Sequence, residues 1–244
     1  LYEDFAFIYD DLMADVDYEK WYFYILEMLN RFNREPKCVL EMACGTGNLS
    51  YYFAKDRFDL TCFDLSTDML SVAYNKLSKF KNVTLLNQNM VDFRINKKFD
   101  LILAICDSIN YILDESQLLE TFRNVKKHLD KGGIFIFDIN SYYKLKEIIG
   151  NNTFIEDTDD IFYIWQNYFD DEDNICQFYL TFFIKREKGN YRRFDEEHLE
   201  KAYKEEEICE LLKNAGFSQV EAYHSFTFNK PSGESERIHF VCLP

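Results

Sequence analysis

The stretch CVLEMACGTGNLSYYF, residues 38–53, carries its chemistry in its spacing: an apolar run breaks into small residues and then resumes as a helix. Glycine at such a turn lets the backbone approach a ligand with no Cβ in the way. Dinucleotide sites use G-x-G-x-x-G, so that a helix N-terminus faces a pyrophosphate. Here the pattern is E-x-A-x-G-x-G, running from Glu41 through Ala43, Cys44 and Gly45 to Gly47, with an acid inside the strand. An acid there repels a pyrophosphate and suits a ligand carrying an ammonium group. Two other places hold groups able to move protons. CDSINY at 106–111 sets Asp107, Ser108, Asn110 and Tyr111 just past a strand's carboxyl end. Asp107 there can hold or deprotonate an amine and Tyr111 can shape a pocket, while the structural alternative is that Asp107 and Ser108 satisfy loop amides. His198, in DEEHLEKAY, sits on a strand among acids, where it serves either a site or the packing of that strand.

These residues need elements to position them. Trp21, Ile25, Met28 and Phe32 recur at helical spacing, and Cys38–Met42 is a strand-length run. A helix is expected over 46–54, a strand over 58–63, and a helix capped by Ser66 that ends near Lys79. Strands follow at 82–86, 100–106 and 134–139, with a helix between the last two that starts at Asp114 and is followed by Gly132-Gly133. Helices alternating with fully apolar runs imply a mostly parallel sheet with helices on both faces. From 152 to 203 the rhythm changes to aromatic and β-branched runs broken at DDEDN and EKGN, which predicts a three-stranded antiparallel meander. A helix at 205–215 closes at Gly216, and QVEAYHSF and SERIHFVCL form a last hairpin.

Composition narrows the function. Hydrophobic residues make up 47% of the 244, enough for a substantial core. The charge is −15, and the basic pairs Lys97-Lys98 and Lys126-Lys127 are diluted by acids, which argues against nucleic acid as a partner. Apolar runs such as LILAIC are far too short to span a membrane, so the expectation is a soluble, cytoplasmic protein with no membrane partner. The seven cysteines are scattered without a C-x-x-C pair, so neither zinc nor a disulfide framework is expected, and no metal is assigned.

At this point the motifs resemble those of the Rossmann-like, class I S-adenosylmethionine-dependent methyltransferases. VLEMACGTG resembles their first motif, in which the acid (Glu41) meets the methionine amino group and the turn passes close to the adenosyl moiety. LTCFDLSTDML resembles the second, which implies Asp64 on the ribose hydroxyls with Leu65 and Met69 beside it. LLNQNMVDF resembles the adenine-contacting segment, with Asn89 where the family commonly has Asp and Met90 against the ring. FDLILAICDSINYI fills the place of the fourth strand and its loop, so Cys106 borders cofactor and substrate. LDKGGIFIFDIN and LLKNAGFSQVEAY resemble later segments of the same fold. The start, LYEDFAFIYDDLMADVDYEKW, resembles the aromatic arm of small-molecule members such as sugar N-methyltransferases and glycine N-methyltransferase-like enzymes. That places Tyr2, Tyr9 and Trp21 near the sulfonium, or leaves Trp21 packing a helix onto the sheet.

The resemblance implies a seven-stranded α/β sheet with an inserted antiparallel β-lid. Residues 1–35 form a helical arm, 36–151 and 204–244 the core, and 152–203 the lid. The implied cofactor is S-adenosylmethionine and the implied partner a small-molecule methyl acceptor, with an amine slightly favoured over a hydroxyl. Asp107, Tyr111 and His198 are the candidate catalytic residues. Eight acids between Glu156 and Asp173 either concentrate a cationic acceptor or are solvated turns. A nucleoside-binding regulatory or assembly protein is the alternative, and a nicotinamide-dependent oxidoreductase is disfavoured by Glu41 and the glycine spacing. The oligomeric state is left open.

Overall fold

A computed structural model describes residues 3–244; Tyr2 lies outside them. Two helices come first, α1 (Glu3–Leu12) and α2 (Tyr18–Arg31). The Asp17 side chain starts α2 by accepting from the Lys20 N–H at 2.9 Å. The alternating part follows as β1 (Cys38–Met42), α3 (Asn48–Lys55), β2 (Asp59–Asp64), α4 (Thr67–Leu77), β3 (Val83–Asn87), β4 (Phe99–Ala104), α5 (Glu115–His128) and β5 (Leu129–Asn140). As expected, Ser66 caps α4 by accepting from the Met69 N–H, and Asp114 caps α5 by accepting from the Gln117 N–H. A short π-helical turn (Lys144–Ile149) leads to β6 (Thr153–Asp157), β7 (Ile161–Asp170), β8 (Ile175–Lys185) and β9 (Tyr191–Lys201). The chain closes with α6 (Glu205–Asn214), β10 (Gln219–His224) and β11 (Arg237–Leu243).

The main sheet has seven strands in the order β10-β11-β5-β4-β1-β2-β3. Neighbours from β5 to β3 are parallel, and β11 runs antiparallel to both β10 and β5. Strand order reverses between β1 and β4, which opens a crevice at their carboxyl ends. Successive side chains serve opposite faces. Leu40, Ile102 and Phe135 join α5 and α6 in one core cluster, whereas Val39, Leu101, Ile134 and Ile136 join α2 and α3 in the other. That double burial is why these strands read as unbroken apolar runs. Each fully buried side chain of this size contributes roughly 1.5–3 kcal/mol.

Three details differ from the sequence expectation. β5 starts at Leu129 and includes Gly132-Gly133, where its pairing with β4 shifts register between Phe99 and Leu101, and a Cβ on Gly133 would lie 3.0 Å from the Phe99 carbonyl. α3 begins at Asn48, since Gly47 takes a left-handed φ of 76° and cannot be a helical residue. The antiparallel sheet has four strands, in the order β6-β7-β8-β9. Every residue of β6 is exposed, so this edge strand shows no alternation by which a sequence could reveal it. Among the described residues no helix is long and apolar enough to cross a membrane.

Candidate active site

One cavity of about 770 Å³ lies at the crevice, its walls drawn from the ends of β1, β2, β4 and β5, from α1, and from the second sheet. Phe178, Leu180 and Phe182 alternate along β8 into it, and His198 and Glu200 do so along β9. The register that pairs Phe178 with His198 sets these two rows side by side.

At the β1 and β2 end the wall is mostly backbone. Ala43, Gly45 and Gly47 all have left-handed φ values, 50°, 54° and 76°. The Asp64 carboxylate holds this turn: Oδ2 accepts from the Gly45 N–H at 2.8 Å and Oδ1 from the Ser66 N–H at 2.8 Å. Burial pushes the Asp64 carboxyl above its usual value, although the amides pull the other way. Leu65, Met69, Asn89 and Met90 line the same end. The Asn89 amide oxygen accepts from the Val91 N–H at 3.0 Å, so the side chain folds its own loop as well as facing the cavity. A Cβ on Gly45 would meet only Tyr9, at 4.0 Å, which puts the Tyr9 ring across from the turn. Burial raises the Tyr9 hydroxyl well above its ordinary value, so it stays protonated.

Four of the residues assigned to the cofactor are not in the cavity wall. Glu41 is buried behind the turn, accepts from the Ser50 hydroxyl at 2.5 Å, and is pushed up to about 7 by burial. Cys44 is buried in the core cluster beneath the turn. Gly47 is needed for packing, because a Cβ there would lie 2.9 Å from Leu77 Cδ1 on α4. Trp21 packs α2 against Phe226 and His239, with ring centroids 5.1 and 4.9 Å away, and is not part of the cavity wall. Its helical spacing meant core packing.

α1 is fastened over this end by Asp10, which sequence reasoning did not single out. Its Oδ1 accepts from the Thr46 hydroxyl at 2.6 Å and the Asn48 amide at 2.9 Å, and its Oδ2 from Lys76 Nζ at 3.0 Å. Burial works to raise the Asp10 carboxyl, but these donors outweigh it and hold it below the ordinary value.

The opposite end is built from side chains. Cys106 and Asp107 are consecutive residues with left-handed φ, 59° and 55°, each a strained position for a residue with a Cβ. Asp138, fully buried at the end of β5, holds them by accepting from the Cys106 N–H at 2.8 Å and the Asp107 N–H at 3.0 Å. Arg237, from the start of β11, pairs with Asp138 and, at 2.7 Å, with Asp107 Oδ1. Burial disfavours the guanidinium's charge, but the two carboxylates outweigh that and raise it above its ordinary value. Asp107 is therefore a carboxylate already engaged by a cation. Asn110 ties the end of β5 to the end of β9, its amide donating to the Asn140 carbonyl at 3.0 Å and the Lys201 carbonyl at 2.9 Å. The Asn140 side chain bridges Glu200 and Lys144: its amide donates to Glu200 Oε2 at 2.9 Å and its oxygen accepts from Lys144 Nζ at 3.0 Å. Glu200 is pushed up to about 8, by burial first and by Asp107 second.

His198 meets Phe5 of α1 and Tyr111 of the loop after β4, with ring centroids 5.4 and 6.0 Å away. Its Nε2 is buried and has no hydrogen-bond partner among the described residues, and burial lowers its pKa, so the ring is neutral. The structure thus brings Asp107, Tyr111 and His198 to one cavity. It adds Asn140, Lys144, Glu200 and Arg237, which sequence reasoning missed, with Asp138 buried behind them. The signal for two of these lay in IFIFDIN, where Asp138 and Asn140 alternate at the end of an otherwise apolar strand. The eight acids of 156–173 are not in the cavity wall; they sit at hairpin ends, and Lys146 pairs with Asp171 at 2.5 Å.

Residues 39–133 match the family described as Methyltransferase domain. The Bacillus subtilis protein named "Putative methyltransferase YqeM" is 35% identical over 241 residues, covering 98% of this chain and 96% of its own. The crystal structure of an S-adenosylmethionine-dependent methyltransferase from Clostridium acetobutylicum is 42% identical, with a TM-score of 0.90, covering 99% of this chain and 98% of that one. The chain belongs to the class I S-adenosylmethionine-dependent methyltransferases. More partially, a Streptomyces venezuelae dTDP-3-amino-3,4,6-trideoxy-alpha-D-glucopyranose N,N-dimethyltransferase is 30% identical over 114 residues, 47% of each chain.

The cofactor of this methyltransferase is S-adenosylmethionine, and the residues at the β1 and β2 end fit it. A carboxylate has about four lone-pair sites. Asp64 gives two of them to backbone N–H groups, which leaves acceptor capacity at the cavity for hydroxyl donors. The open space over Gly45 leaves the turn free to be approached closely, and Met69 and Met90 supply soft apolar wall for a flat base.

Proposed function

We propose that this methyltransferase methylates the amine nitrogen of a small molecule, held at the β5 and β9 end of the cavity while the cofactor occupies the β1 and β2 end. The observation that carries this reading is that both ends belong to one cavity, roofed by α1 and the second sheet. When bound, S-adenosylmethionine supplies a methyl carbon already activated by positive sulfur, so the chain's own task is to align the acceptor and exclude water. Phe178, Leu180 and Phe182 form the dry roof, with the sheet over 152–203 acting as the lid. The Tyr9 ring stands where an aromatic face attracts a sulfonium. Asp64 holds the ribose, and Leu65, Met69, Asn89 and Met90 surround the adenosyl part.

An amine acceptor must be neutral to react and must lose a proton afterwards. His198 suits that role, since burial disfavours its charge and Nε2 has no hydrogen-bond partner among the described residues. Asp107, paired with Arg237, positions the loop rather than taking the proton. Similarity to an amino-sugar N,N-dimethyltransferase supports an amine over a hydroxyl. Turnover measured with amines and alcohols of matched skeleton tests the reading: methylation of the amines supports it, and methylation of the alcohols alone overturns it. His198→Ala lowers kcat while leaving cofactor binding intact; wild-type turnover in that variant removes His198 from the proton path.

A further inference from the structure

The acceptor end contains an ammonium that makes no direct ion pair among the described residues. Among the described residues Lys144 Nζ makes one hydrogen bond, to Asn140 Oδ1 at 3.0 Å, and no ion pair. An ammonium has three donors, so two are left. The side chain is partly buried and belongs to the cavity wall. The nearest acids are engaged elsewhere: Asp107 and Asp138 both pair with Arg237, and Asp107, Glu200 and Glu236 act on Lys144 only through space, without a direct contact among the described residues. Glu200, on the far side of the same Asn140 amide, accepts nothing from Lys144 directly, and burial works against its charge. Asn140 is itself fixed, its N–H donating to Asn110 Oδ1 at 3.0 Å, so Lys144 is held in place rather than free to reach bulk water. Burial, with Arg237 nearby, lowers the Lys144 pKa. Leaving a charge so placed without a partner is costly, and a ligand anion would remove the cost.

We propose that Lys144 receives an anionic group of the methyl acceptor, a carboxylate or a phosphoryl group, alongside the Asn140 amide at the β5 end of the cavity. The acceptor is then an acid as well as a nucleophile. This inference rests on the reading of that end as the acceptor site.

The first test needs no identified acceptor. With the protein saturated in S-adenosylhomocysteine, acylation of Lys144 is followed by mass spectrometry in acetate, in inorganic phosphate and in chloride at equal ionic strength, with the exposed lysines of the same chain as internal controls. Severalfold selective protection of Lys144 by acetate marks a carboxylate site, and by phosphate a phosphoryl site; protection by neither overturns the proposal. The second test uses matched amines, glycine against glycinamide and phosphoethanolamine against ethanolamine, by calorimetry. One anionic member binds about tenfold tighter than its neutral partner in the wild type, Lys144→Met erases the preference and Lys144→Arg keeps it. Equal binding of the paired members in the wild type overturns the proposal and leaves amine methylation standing. Anion protection without turnover of any amine rejects the amine reading and keeps the anionic site. If Lys144→Met lowers kcat equally for charged and neutral members, Lys144 acts as a base and the proposal is wrong.

Discussion

At the carboxyl ends of β1 and β2 the cavity is shaped by a run of backbone with left-handed φ at Ala43, Gly45 and Gly47, held by a single carboxylate. At the ends of β5 and β9 it is shaped by charged and amide side chains from four separate segments, locked to one another through Asp138, Arg237, Asn110 and Asn140. The first wall owes its form to local chain conformation and presents an unfilled acceptor. The second exists only when the fold is complete, and its polar groups are mostly consumed in holding themselves. A change at the first end should therefore cost ligand, and a change at the second should cost fold.

The sharpest way to break that contrast is Asp138→Ala. It removes the acceptor of two buried N–H groups and one of the two partners of Arg237, and should destabilise the protein by about 3 kcal/mol or more in denaturant unfolding. Next comes Gly45→Val. A β-branched residue at a φ of 54° is strained, and the variant should lose more than about a hundredfold in S-adenosylmethionine affinity by calorimetry while unfolding cooperatively. Asp64→Ala should cost on the order of 1–3 kcal/mol of cofactor binding. If it destabilises the apoprotein as much as Asp138→Ala does, the two ends are not different in kind.

The contrast also bears on pH dependence. Glu200 has its folded value raised to about 8 from 4.5. Its stabilising contribution is therefore complete below about pH 4.5 and is lost as pH rises through about 8. Glu200→Gln should flatten that decline, so that its unfolding free energy falls less than that of the wild type between about pH 4.5 and 8. A decline of unchanged steepness in the variant would assign it to other groups, of which Glu41, raised to about 7, is the first to examine.

The same contrast explains what could be read from the chain before its structure. Asp64 and the turn around Gly45 lie in contiguous motifs whose conformation is dictated by a few neighbouring residues, so their place was legible. The parallel sheet was legible because apolar runs buried on both faces alternate with helical periodicity, and the last hairpin because a loop holding Pro231 and Gly233 joins its two strands. β6 was not, since an edge strand with no buried residue has no pattern to show. Arg237, Lys144 and Glu200 lie far from one another along the chain, and only β11 inserting beside β5 and the second sheet folding back bring them together. Trp21 was misplaced because a buried aromatic on a helix face looks the same whether it meets a ligand or another ring. Asp10 was missed because an aspartate in an acidic helix gives no hint that its partners lie on α4 and in the turn after β1.

Asn110 donates to the chain both where it leaves the main sheet, at Asn140, and where it returns, at Lys201. The two leads of the second sheet thus lie side by side, and a segment whose ends meet can be exchanged without re-routing the rest of the chain. A related protein could trade this sheet for another of different length or lining and so acquire a new acceptor, while the turn at Gly45 and its carboxylate stay as they are.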